Sequence, residues 1–209
     1  MREHYRFKTE PLPEAFRRCA EELKGAVSRS SDLRMLAGLE RLMTTLGDGH
    51  SYATPSPEFL QRLKAPPAES PLRLHGFSDG LFVIDANPGF ESWIGRPITR
   101  IGSASADEAL RRIADYVPKD NLYSARWRVP AFLGYPGYLE AIDCIKPNAR
   151  EIALGFASAD GTASAASVPF APMQMVSRPP LVPSRLGGAL EPPLSLQPSQ
   201  KTECANAKV

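Results

Sequence analysis

The sequence predicts an α+β fold on three observations. Between Glu14 and Leu46, apolar residues recur at intervals of three and four, the period of amphipathic helices. Further along, β-prone runs flank Ser78-Asp79-Gly80 and Asp160-Gly161, and both tripeptide and dipeptide read as hairpin turns. After Phe170 the composition shifts to Pro, Ser, Leu and Gly, and repeated prolines forbid helix interiors and central strands. The expected order is a helical N-terminal hairpin or bundle over 1–67, a small β-sheet domain with one helix over 68–172, and a disordered Pro-rich tail or linker over 173–209.

The first helix is expected from Glu14 to Val27, with Phe16, Cys19, Leu23 and Val27 on one face and Arg17, Glu21, Glu22 and Lys24 largely off it. Ser30 and Ser31 can cap a second helix, whose Leu33, Leu36, Leu39, Leu42, Met43 and Leu46 form a broad apolar stripe. Gly47 ends it, because glycine takes the left-handed cap conformation readily. A short third helix, "PEFLQRLK", has Ser56 as cap, Pro57 in the first turn and Glu58 near the positive end of the dipole, and Pro66-Pro67 stops it.

"LRLHGF" and "LFVIDA" then form a hairpin, "RPITRIG" a further strand, and Gly102 the turn from strand to helix. The helix after Ser105 opens with Asp107 and Glu108 and is expected to bury Leu110, Ile113, Ala114 and Val117. From Asn121 to Ile145, aromatics and prolines follow no clean period. "REIALGFASADGTASAASVPF" reads as a second hairpin of alternating strands.

Composition narrows the possible functions. The 209 residues, 43% of them hydrophobic, suffice for one large or two small domains with a buried core. A net charge of +2, with no Lys/Arg run and no basic stripe interleaved with aromatics, argues against nucleic acid as a partner. No segment approaches the about 18 apolar residues of a membrane span, and "MREHYRFKTEPLPEAF" has charges and prolines where an export signal needs an apolar stretch. The chain as written reads as cytoplasmic by default, and as exported if a longer parent carries a signal. Cys19, Cys144 and Cys204 are odd in number, lack CxxC spacing and nowhere join His at ligand spacing, so they read as buried or incidental thiols. No metal and no cofactor is expected.

His50, in "LMTTLGDGHSYATPS", is the candidate for catalysis, as a general base. It follows a glycine turn at a helix C-terminus, where a side chain is exposed and the dipole favours the protonated ring, and Asp48 stands two residues away as a possible orienting partner. The plainer reading makes Gly47-Asp48-Gly49 a cap and His50 a polar residue behind it. No GxSxG elbow or SxxK pair marks an activated serine. Asp79-Gly80 and Asp160-Gly161 read as turns, His75 as a surface or core-edge residue, His4 as part of a frayed terminus, and Trp93 as core packing rather than groove lining. Leu186-Gly187-Gly188, though rich in glycine, reads as linker.

The order of elements resembles the front part of the C-terminal processing (tail-specific) and tricorn-type serine peptidases. A helical pair ending in "LGDGHSY" precedes "LRLHGFSDGLFVIDA" and "IGRPITRIGSASADEALRRI", as in that family a helical region with a Leu-Gly-Asp-Gly-His-like motif precedes a PDZ-like domain. The resemblance covers roughly residues 12 to 172. It implies that 68–172 is PDZ-like, with Arg96 after Gly95 where many such domains carry Asp, and without a Gly-Leu-Gly-Phe loop.

By the same resemblance His50 would inherit the role of general base of the tricorn-type branch, toward a serine on a later catalytic domain. In the Ser-Lys branch it would be structural. Gly49 stands where tricorn has serine, with Ser51 just beyond. The implied function is the N-terminal and substrate-binding portion of a serine-type peptidase acting on peptides or proteins, inactive alone because the nucleophile domain is missing. Two alternatives stand beside it: a non-enzymatic peptide-binding module, and a small-ligand carrier related to the retinoid-binding proteins of photoreceptors.

Overall fold

A computed structural model describes residues 11–63, 68–119, 128–157 and 162–172. The chain is α+β. Helix α1 spans Glu14–Ala26, α2 Asp32–Thr44 and α3 Pro57–Arg62. Strands β1 (Ala68–Glu69), β2 (Leu72–Phe77), β3 (Gly80–Ala86), β4 (Pro97–Ile101) and β5 (Ala104–Ser105) follow, then α4 (Ala106–Ile113), α5 (Pro136–Ala141), β6 (Glu151–Ala157), β7 (Ala163–Pro169) and β8 (Ala171–Pro172). The helix caps follow from sequence chemistry: Ser31, Ser56 and Ser105 each accept, on the side-chain oxygen, the backbone N–H three residues on.

The main sheet is antiparallel in the order β2-β3-β4-β6-β7, with β5 pairing β4, while β1 and β8 form a separate two-stranded ribbon. Alternation along β2, β3 and β6 sends Leu72, Leu74, Leu81, Val83, Ile152, Leu154 and Phe156 to one face. There they meet Ala109 and Ile113 of α4 and the run from Val129 to Cys144, in one continuous core. Each fully buried large apolar side chain contributes about 1.5–3 kcal/mol. A smaller cluster, Phe16, Cys19 and Leu42, joins α1 to α2. At Gly38 the two helices approach so closely that an added Cβ would lie 2.4 Å from Leu23 Cδ1.

Two positions depart from the helical reading. The first helix tightens into a 3₁₀ turn at Val27–Arg29, which swings Val27 off the shared face and leaves it 59% exposed. Leu39, assigned to the apolar stripe of α2, is 39% exposed, because α1 and α5 cover the helix on other sides. In α4 the strongest burial falls on Ala106, Ala109 and Ile113, whereas Leu110 and Ala114 are half-buried.

Gly102 turns the chain between β4 and β5 at φ +56, and its N–H donates to Ala153 O at 2.8 Å. A Cβ there would fall 1.9 Å from Cys144 O, so only glycine admits the loop that crosses it. In the segment without a sequence period, the residues from Arg128 to Phe132 are helical and α5 follows. The 173–209 tail, the Asp160-Gly161 turn, Pro66-Pro67, His4, Cys204 and Leu186-Gly187-Gly188 lie outside the described residues. Among the described residues, no helix is long and apolar enough to cross a membrane.

Candidate functional site

The His50 turn is built from the end of α2 outward. Thr45 Oγ1 donates to Leu42 O at 2.6 Å, and Gly47, at φ +67, donates its N–H to Thr44 O. That left-handed residue reverses the chain at little steric cost. Asp48 then organises the next three residues. Its Oδ1 accepts the backbone N–H of His50 at 3.0 Å, and its Oδ2 accepts the Ser51 hydroxyl at 3.0 Å, while its carbonyl receives the Ser51 N–H. Such a carboxylate, bonded two and three residues on, is the usual device for holding a tight turn.

The His50 side chain projects from this turn, 83% exposed, with Nδ1 3.7 Å from Asp48 Oδ1. That separation exceeds a hydrogen bond. Asp48 accepts hydrogen bonds from the turn's backbone and from Ser51, and stands within ion-pair range of the ring. Gly49 is buried, and its carbonyl accepts from Arg128 Nη1 at 3.1 Å. The same nitrogen donates to Pro118 O at 3.2 Å, and the guanidinium lies 5.7 Å from the Tyr52 ring. Arg128 thus ties the turn to the chain beyond α4.

Sequence reasoning missed Arg128. It lies in the aperiodic stretch, two residues after Arg126, and accepting carbonyls distant along the chain are among its partners, so no motif announces it. Glu40 was missed too: on α2, its carboxyl lies near the backbone of Ala53, three residues past His50. Burial raises the pKa of that carboxyl, an effect the Ala53 backbone partly opposes.

The other singled-out residues lie apart from this turn. His75 sits on β2 with its ring 4.5 Å from that of Phe77, and burial lowers its pKa. Trp93 packs edge-on against Phe156 at 4.6 Å and lies 6.0 Å beneath the Arg96 guanidinium. Cys19 and Cys144 are buried, and burial pushes both thiols up. Ser78-Asp79 forms the β2–β3 turn, and Gly80, at φ +145, pairs with Phe77 as the first residue of β3. Among the described residues, no three His, Cys, Asp or Glu side chains converge as metal ligands would.

No family model matches the chain, and no curated protein matches it. Solved structures do. Mature CPAF complexed with lactacystin is 12% identical with a TM-score of 0.45, covering 73% of this chain and 28% of its own. A crystal structure of a CPAF mutant is 16% identical with a TM-score of 0.49, covering 81% and 29%. Mature CPAF is 14% identical with a TM-score of 0.46, covering 73% and 28%. The chain spans less than a third of the length of each of these structures.

Proposed function

We propose that this chain is the helical and PDZ-like portion of a serine-type peptidase acting on peptides or proteins, with His50 as the general base toward a serine on a separate catalytic domain. The observation that carries the reading is the Gly47–Ser51 turn, whose backbone Asp48 and Arg128 hold while the His50 ring stands 83% exposed. A base that serves a nucleophile on another domain has to project from its own fold. A turn held by Asp48 and Arg128 fixes where that side chain leaves the backbone.

In the assembled enzyme, His50 takes the proton of the serine hydroxyl as that oxygen attacks the peptide carbonyl. It returns the proton to the leaving amine, and backbone amides of the catalytic domain hold the oxyanion. In this reading 1–67 is the helical subdomain, 68–172 the PDZ-like domain and 173–209 the linker onward.

A second reading, a non-enzymatic peptide-binding module, draws on the sheet edge. β2 is an end strand that pairs only with β3 among the described residues, and its alternating Leu72 and Leu74 are anchored in the core. Such an edge accepts an extended peptide by strand addition.

The chain alone is expected neither to hydrolyse a fluorogenic peptide nor to react with a fluorophosphonate probe. Joined to the catalytic domain of a tail-specific serine peptidase, it is expected to support hydrolysis. Stoichiometric labelling of the isolated chain contradicts the proposal, and a fusion that binds the peptide without cleaving it favours the binding module.

A further inference from the structure

One peptide group in the His50 turn is held through both of its polar atoms. The carbonyl of Gly49 and the N–H of His50 belong to the same planar unit. Asp48 Oδ1 accepts that N–H at 3.0 Å from within the turn. Arg128 Nη1 donates to that carbonyl at 3.1 Å, from 79 residues further along the chain. With the plane fixed, the His50 Cα is fixed too, and the ring keeps only the rotations beyond it. Local sequence does not hold the plane by itself: Gly47, at φ +67, and Gly49 flank Asp48 without a side chain to resist rotation. Its orientation therefore depends on these bonds.

The two bonds come from different parts of the molecule. Asp48 is local to the turn, whereas Arg128 opens the helical residues 128–132 of the sheet-bearing part. The same Nη1 donates to Pro118 O at 3.2 Å, beyond α4, and the guanidinium lies 5.7 Å from the Tyr52 ring. Gly49 and Pro118 are both buried, so their carbonyls, once deprived of this donor, regain water poorly. A guanidinium keeps its charge and presents its donors in a rigid plane, which makes it a stiff link between two backbones. The Gly49 carbonyl thus follows the chain beyond α4.

We propose that Arg128 is a positioning residue for His50: from the sheet-bearing part it locks the Gly49–His50 peptide plane, so the base is aimed only while the two parts stay docked. The inference rests on the general-base reading of His50 and adds the regulation of that site. A displacement of the chain beyond α4 lowers turnover through Arg128, without a contact to substrate or to the ring.

Two measurements test it. In the full chain alone, the NMR order parameter of the His50 N–H is expected near the rigid value of about 0.85, and below about 0.6 in Arg128→Ala, at a temperature where circular dichroism shows both folded. In the fusion to a catalytic domain, Arg128→Ala is expected to lower kcat on a fluorogenic peptide by about 10- to 100-fold with KM unchanged, as misplacement of a base does. Arg128→Lys, which keeps the charge and loses the planar fork, is expected to recover part of that kcat. A mobile His50 N–H in the parent chain, a result that needs no variant to fold, overturns the proposal. So does an equally rigid N–H in Arg128→Ala, or an unchanged kcat in that fusion where His50→Ala lowers turnover. Turnover that survives His50→Ala overturns the general-base reading itself, and the proposal with it.

Discussion

Glu40 makes its own stability depend on pH. In the unfolded chain it titrates near the ordinary carboxylate value of 4.5, and in the fold burial raises it. The native state therefore binds more protons than the unfolded state between the two values, and stability falls as pH rises through that interval. Below the ordinary value both states are protonated and the penalty is absent. Glu40→Gln is accordingly expected to raise Tm at about pH 7 and to lose that advantage by about pH 4, read by thermal unfolding of parent and variant in matched buffers. An equal gain at both pH values contradicts the burial account. Little of this is readable from sequence. In a helical wheel Glu40 is one more polar residue of α2, and only the arrival of α5 and the Ala53 loop turns its environment apolar. The turn at Gly47-Asp48-Gly49 was legible, because a glycine after an apolar stripe has one common conformational use. What Asp48 does there was not, since a backbone N–H, a hydroxyl and a ring compete for the same carboxylate oxygens.

At the scale of elements, α2 is joined to α5 by a buried acid. Glu140 of α5 is 1% exposed, and it accepts the Ser31 hydroxyl on Oε2 and the Asn148 N–H on Oε1. Arg34 donates to Glu140 O and to Asp143 Oδ1, both at 2.8 Å. Ser31 thus caps its own helix and donates to a second one. Glu140→Ala removes the shared acceptor of two part-buried donors, the Ser31 hydroxyl and the Asn148 N–H, and is expected to cost about 2 kcal/mol in urea unfolding, with the m value unchanged. A loss under about 0.5 kcal/mol, the range of ordinary surface changes, contradicts this clamp. The helices and strands that surround it follow local rules of period, cap and turn, and their spans were legible. The clamp itself was not, because Glu140 lies in the stretch without a period, where short helices begin at Pro136 and end within six residues. Leu39 failed for a related reason, since a wheel shows which side is apolar, not which neighbour arrives to cover it, and Val27 failed because the helical period stops where α1 tightens into a 3₁₀ turn.

Across the whole molecule, the proposed division after residue 67 runs through a packed contact. α2 lies against α5, and Thr44 Oγ1 reaches Asp115 O at 2.8 Å. Arg128 adds a bond from beyond α4 to the His50 turn, so the part read as PDZ-like helps to set the part read as catalytic. That coupling gives the turn a fixed place relative to the sheet, as presentation of a base to another domain requires. The most direct measurement is the turnover of the fusion to a catalytic domain, with and without His50→Ala, on a fluorogenic peptide from about pH 5 to 9. If His50 is the general base, turnover falls by ~10²-fold or more, while Tm stays within the small range of an exposed substitution. Equal turnover of the parent and His50→Ala fusions contradicts the assignment.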